Sequence, residues 1–131
     1  MFSHVFTSVT QFERAFSFYA PLLQELGLEL RFHEPDKPWA GWQAPGQSRP
    51  LFVICKPHDG NPHHPGNGQM VAFAASSRAL VRAGYDVGLA NGGTSEGAPG
   101  LRPSYHPNYY GAYLRDPEGN KVAIACHEAE A

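Results

Sequence analysis

The sequence predicts an α+β fold of two strand–helix–strand–strand–strand modules paired into one curved, cup-like mixed sheet. Three observations predict it. The first half carries one helical hydrophobic pattern followed by three strand-like runs; a strand–helix opening recurs in the second half at an offset of 66 residues; and a polar stretch rich in proline and glycine divides the two. With 131 residues, 42% of them hydrophobic, the chain suits one domain that buries a core without disulfides or structural metal. Module one is read as residues 1–57, the linker as 58–67 and module two as 68–131.

Phe2 to Val9 is rich in aromatic and β-branched residues and reads as a strand. Thr10, with Glu13 three residues later, forms a capping-box signature for a helix start. Phe12, Ala15, Phe16, Tyr19, Leu22, Leu23 and Leu26 then recur at helical spacing and give one apolar face, Gly27 supplies the stop, and Pro21 is expected to kink or loosen one turn. Leu28 to His33, Trp39 to Gln43 and Leu51 to Cys55 read as strands, separated by turns at Pro35-Asp36 and Pro45-Gly46.

Lys56 to Gly68 lacks periodicity and reads as a linker or loop. Beyond it, Gln69 to Ala75 is a strand, Ser76 or Ser77 a helix cap, Leu80, Ala83 and Val87 an apolar face, and Gly92-Gly93 a stop. Thr10 matches Ser76 and Gly27 matches Gly93 at the same offset. Gly93 to Pro107 reads as a long loop; Tyr109 to Arg115 and Lys121 to Cys126 read as strands joined by a turn at Asp116-Pro117-Glu118-Gly119-Asn120. Two modules of this size must complete one another's sheet, and the cleft between them is the natural place for a small ligand.

A net charge of −2, with acids and bases interspersed, offers no basic stripe for nucleic acid and no cationic helix for a membrane surface. No apolar run approaches the roughly 18 residues of a spanning helix, and no basic segment with an apolar run opens the chain, so a cytoplasmic location is expected. Cys55 and Cys126 each end an apolar run and read as small buried hydrophobes. A phosphate-cradling glycine loop and a nucleophile elbow are both missing from the sequence.

The stretch Gly92-Gly93-Thr94, Gly97-Ala98-Pro99-Gly100-Leu101-Arg102-Pro103, Tyr105-His106-Pro107-Asn108-Tyr109-Tyr110-Gly111-Ala112-Tyr113 and Asp116-Pro117-Glu118-Gly119-Asn120-Lys121 resembles the second-module signature of small bacterial glyoxalase-like proteins. Ser3-His4-Val5, Phe16-Ser17-Phe18-Tyr19, Leu22-Leu23 and Leu26-Gly27 add weaker matches. The chain is therefore similar, over essentially its whole length, to the vicinal oxygen chelate superfamily of glyoxalases, bleomycin-resistance proteins and extradiol dioxygenases. That resemblance implies paired βαβββ modules around a cup, with metal ligands on the first and last strands of each module.

At those positions the sequence offers His4, Met70 and Ala123, and aligning Cys55 with Cys126 adds Phe52. Only His4 is a good ligand for a hard divalent ion, so no resident cofactor is expected. His4 also reads as a candidate general base or pocket-lining imidazole. Arg102, Tyr105, His106 and Tyr110 form a group able to orient a carboxylate or carbonyl, or else to tie the long loop to the sheet. Trp42 joins Phe52 as apolar lining or core, and His58, His63 and His64 read as solvated loop histidines.

Three functions compete. The first is a small-molecule binder without the usual metal site; the second is a divalent-metal lyase or dioxygenase with relocated ligands, using His4 with His106 or a loop histidine; the third is a non-catalytic interaction protein whose cup is filled. A homodimer suits all three, because open sheets bury an edge or helix face against a copy.

Overall fold

A computed structural model describes residues 1–130. The elements run β1 (His4–Ser8), α1 (Phe12–Glu25), β2 (Glu29–Glu34), β3 (Trp39–Gln43), β4 (Leu51–Cys55), β5 (Val71–Ala74), α2 (Arg78–Ala90), β6 (Thr94–Leu101), β7 (Tyr110–Arg115) and β8 (Lys121–Cys126). They form two four-stranded sheets of equivalent order, β1-β4-β3-β2 and β5-β8-β7-β6, in which the first strand of each module lies parallel to the last. The two βαβββ modules are thus as the sequence predicts. The mixed sheet is divided into two halves, with β1 and β5 each an edge.

Three local expectations are revised. The stretch from Gly93 to Pro107 holds an edge strand, β6, whose register on β7 shifts twice, between Ser95 and Gly97 and between Gly97 and Gly100; its glycines and proline hide it from any propensity reading. The α1 cap comes from the other module, because Gln11 caps without a side-chain bond, while Glu118 accepts from the backbone N–H groups of Thr10 and Gln11 at 2.7 and 2.9 Å. Thr10 instead receives the backbone N–H of His63. The left-handed helix stop equivalent to Gly27 is Gly92, at φ of 86° and 96° respectively, so the helix ends align one residue earlier than the starts. α1 continues as one helix through Pro21, whose ring lacks the N–H that would donate to the Ser17 carbonyl and so loosens that turn. In α2, Ser77 is the cap and accepts from Leu80 at 3.1 Å.

One core draws on both modules. Phe18, Tyr19, Leu22 and Leu23 of α1 are fully buried with Ile54 of β4, Leu114 of β7 and Ile124 of β8. Mid-helix glycines let the helices and the second sheet approach: a Cβ on Gly84 would lie 2.9 Å from Ile124 and 3.1 Å from Leu26, and one on Gly88 would lie 2.8 Å from Leu114.

Glu118 ties the modules together, with its side chain only 5% exposed. Burial alone pushes its carboxyl up, but the N–H groups of Thr10 and Gln11 and the guanidinium of Arg14 outweigh this and hold it below its ordinary 4.5. A carboxylate depressed on folding stabilises above its unfolded value and loses that contribution as pH falls through the folded one. Glu118→Gln is therefore expected to cost about 1 kcal/mol at pH 7, as for a lost helix cap. In urea melts the deficit should shrink as the pH drops below 4.

Candidate functional site

Strand alternation sorts the candidate residues by face. On β1 and β4, Val5 pairs with Phe52 and Thr7 with Ile54, and Phe52 and Ile54 belong to the core beneath α1. His4, Phe6, Ser8, Leu51, Val53 and Cys55 therefore face the opposite, helix-free side. On β8 the core takes Val122, Ile124 and Cys126, which leaves Lys121, Ala123 and Ala125 on the helix-free side, opposite Arg115, Tyr113 and Gly111 of β7.

This arrangement moves several expected site residues. Phe52 is 7% exposed and packs its ring against Tyr19 and Phe73 at 5.3 and 5.0 Å; the position matching Ala123 is Val53, because the closing strands align at an offset of 70 rather than 71. Trp42 is 2% exposed and likewise core. Tyr110 points to the helix side, where Arg78 and Arg82 lie over its ring and Arg82 donates to its hydroxyl at 3.2 Å. His4 is exposed at the start of β1, its Nδ1 2.9 Å from the Ser3 hydroxyl. Met70, just before β5, is also exposed.

Between the modules lies an open cavity of about 640 Å³, lined by Val5 to Ser8 of β1, by His64, Pro65 and Gly68 to Val71, and by Asn120 and Lys121. The linker closes one side and is anchored there: the Ser8 hydroxyl meets His63 Nδ1 at 2.6 Å.

From Lys121 the helix-free face of the second sheet continues as an aromatic and cationic tray. The Arg102 guanidinium and the Lys121 ammonium each lie 5.4 Å from the centre of the Tyr113 ring. Tyr113 donates to the Tyr109 hydroxyl at 3.1 Å, and Tyr105, mostly exposed, packs on Tyr109. Burial, then the bond to Tyr109, pushes the Tyr113 phenol up, while Arg102 and Lys121 draw it down. Arg115 is neutralised by Glu96. At the far end His106 Nδ1 accepts from the Asn108 N–H at 3.2 Å, and its Nε2 lies within hydrogen-bond distance of His127 Nδ1, at 2.8 Å.

Of the expected group, the structure brings Arg102, Tyr105 and His106 together and turns Tyr110 away. Tyr109, Tyr113, Lys121 and His127 are the members that sequence reasoning passed over. Counting by twos from Ala123 along β8 reaches Lys121 and, past Ala125, His127.

Gly111 makes the room for Tyr109: a Cβ there would lie 2.8 Å from its ring. Gly111→Ala is expected to displace that ring and break the Tyr109–Tyr113 bond, at a cost of about 1–2 kcal/mol. Ring-proton spectra of Tyr109 and an unfolding curve check both parts.

At the four positions where the family resemblance places metal ligands stand His4, Val53, Met70 and Ala123. One imidazole, one thioether and two aliphatic side chains do not fit a hard divalent ion. Among the described residues no group of three or more His, Cys, Asp or Glu side chains is placed to hold a metal. No helix among them is long and apolar enough to cross a membrane.

The family model of the Glyoxalase/Bleomycin resistance protein/Dioxygenase superfamily matches residues 1–124. A glyoxalase/bleomycin resistance protein from Albidiferax ferrireducens T118 is 38% identical, with a TM-score of 0.86 over 96% of this chain and 98% of that one. Two more distant structures share the fold: a putative glyoxalase from Bacillus halodurans (24% identity, TM-score 0.70, 96% and 95% coverage) and a lactoylglutathione lyase from Agrobacterium tumefaciens (21%, 0.64, 96% and 92%). No curated protein matches the sequence.

Proposed function

We propose, from the premise that this chain belongs to the glyoxalase/bleomycin resistance protein/dioxygenase superfamily, that it binds a small molecule on the helix-free side of its modules without a metal at the family's usual position. One observation carries this reading: the ligand positions hold His4, Val53, Met70 and Ala123, while an open cavity of about 640 Å³, lined by Met70 among these four, lies between the modules. A cavity of that size accommodates a ligand of drug-like dimensions.

The chain acts as a single domain in the cytoplasm, on a small molecule rather than on nucleic acid or membrane, and as a homodimer. The exposed Phe2 and Phe6, at 61% and 57%, lie in and beside the edge strand β1 and suit burial against a copy.

A second reading, a divalent-metal lyase or dioxygenase with relocated ligands, draws on the His106–His127 pair. Their mutual hydrogen bond and the Asn108 N–H engage both nitrogens of His106, so a metal held by both rings would have to displace one of these bonds. Elemental analysis of untagged protein, dialysed against Zn²⁺, Ni²⁺, Co²⁺ and Mn²⁺, separates the two. The proposed function predicts well under one ion per chain and a melting temperature indifferent to chelator. One retained ion per chain, with a melting temperature that falls on chelation, establishes the second reading instead.

A further inference from the structure

We infer that the tray formed by Arg102, Lys121, Tyr109 and Tyr113 is a carboxylate-binding site, and that the small molecule bound by this protein is a carboxylic acid with a compact apolar body. The inference rests on the small-molecule reading above and adds the ligand's chemical class; the tray adjoins the cavity between the modules through Lys121, which lines both.

Charge carries the first step. Arg102 and Lys121 converge on one aromatic ring, and among the described residues neither has a carboxylate within ion-pairing distance, whereas the neighbouring Arg115 is paired with Glu96. Glu96 acts on Lys121 only at a distance, so two cations beside one ring keep a positive potential that a bound anion would meet. Arg102 donates from one terminal nitrogen to the Ala98 carbonyl at 2.8 Å and from the other to the Leu101 carbonyl at 3.5 Å, which fixes the group, and of its five N–H donors the remaining ones stay free.

The phenols add a directed donor. The Tyr113–Tyr109 bond consumes one of two hydroxyl protons, and among the described residues the other has no acceptor. A carboxylate takes that proton in a charge-assisted bond, stronger than one to a neutral acceptor.

The backbone around the tray is cut to this arrangement. A Cβ on Gly100 would lie 3.0 Å from Arg102, and one on Gly97 would lie 3.3 Å from Arg102 and 3.2 Å from Tyr113, so the two bare positions of β6 let the guanidinium settle over the ring. On the other side Ala72 pairs with Ala123 and Ala74 with Ala125. Ala72 and Ala74 are exposed. Ala123 and Ala125 are themselves buried, so the exposed Ala72 and Ala74 form the small apolar surface beside the charged groups.

The test uses full-length protein and benzoate as the probe, with benzamide as its neutral counterpart and inorganic phosphate as a competing anion. Titrations follow the ring resonances of Tyr109 and Tyr113, and calorimetry gives affinities. Benzoate should shift both rings saturably, benzamide should bind at least about tenfold more weakly, and phosphate should compete poorly. Arg102→Met and Lys121→Met should each weaken benzoate by about tenfold or more, the size expected for one charged hydrogen bond. Arg102→Lys should recover part of the loss, which separates lost charge from lost packing, and melting curves of the variants confirm that they fold.

Equal affinity for benzoate and benzamide at these rings would overturn the carboxylate class while leaving small-molecule binding intact. Phosphate binding as tightly as benzoate would assign the site to a different anion. Silence of both rings toward every probe would overturn the site itself, and a chelator-sensitive metal, measured separately, would overturn the underlying reading.

Discussion

Replacing Asp116 with alanine is expected to lower stability by about 3–5 kcal/mol, a large share of the roughly 5–15 kcal/mol that holds a domain of this kind together. Asp116 is 3% exposed and accepts four hydrogen bonds: from the Tyr19 hydroxyl at 2.6 Å and Asn120 Nδ2 at 2.9 Å on one oxygen, and from the backbone N–H groups of Glu118 at 2.7 Å and Asn120 at 2.9 Å on the other. Truncation leaves these donors without their acceptor in a site closed to solvent. Each orphaned donor costs about 1–3 kcal/mol, so the sum exceeds any gain from removing the buried charge. Asp116→Asn, which keeps one acceptor, should lose less. Tyr19→Phe should lose about 1–2 kcal/mol, because it removes a single donor and leaves the turn intact. Urea unfolding measures all three. Asp116→Ala within 1 kcal/mol of wild type would show that the contact between α1 and the β7–β8 turn does not hold the modules together.

The second large effect is expected at Gly88. Leucine is a much better helix former, and on propensity alone Gly88→Leu in α2 should stabilise by about 0.8 kcal/mol. Packing decides the sign the other way. A first carbon at this position already lies 2.8 Å from Leu114 and 3.5 Å from Phe18, and three more carbons have no space unless α2 lifts from the sheet. Overpacking of this kind costs about 1–3 kcal/mol for smaller insertions, so a net loss of at least about 2 kcal/mol is expected. An Asp86→Ala control on the exposed side of the same helix should be near neutral. A stabilised Gly88→Leu protein would mean that the helices and sheet are less tightly apposed than described.

Residues that obey local rules were legible in the sequence. Leu51 to Cys55 and Lys121 to Cys126 are β strands at their expected bounds because apolar, β-branched runs between turns have few alternatives. The cap of α1 was not legible, because its acceptor, Glu118, lies 107 residues from Gln11 and no local spacing reports it. β6 was hidden because Gly97, Pro99 and Gly100 lower its propensity, although the two bare glycines are what seat Arg102 over Tyr113. The match of Phe52 to Ala123 failed through a one-residue slip, and in a strand that slip reverses the face. The candidate site was half visible. Arg102, Tyr105 and His106 stood out by residue type and clustering, whereas Tyr113 and Lys121 required knowing which face of β7 and β8 the core had already taken.

The most direct measurement of the central claim is to titrate benzoate into chelator-treated protein while following the Tyr113 ring, then repeat the titration with added Zn²⁺ or Ni²⁺. Metal-free binding predicts the same saturable shift and the same affinity in both titrations. A Tyr113 signal that stays silent until the metal is restored would contradict the account and return the protein to the metal-dependent members of its superfamily.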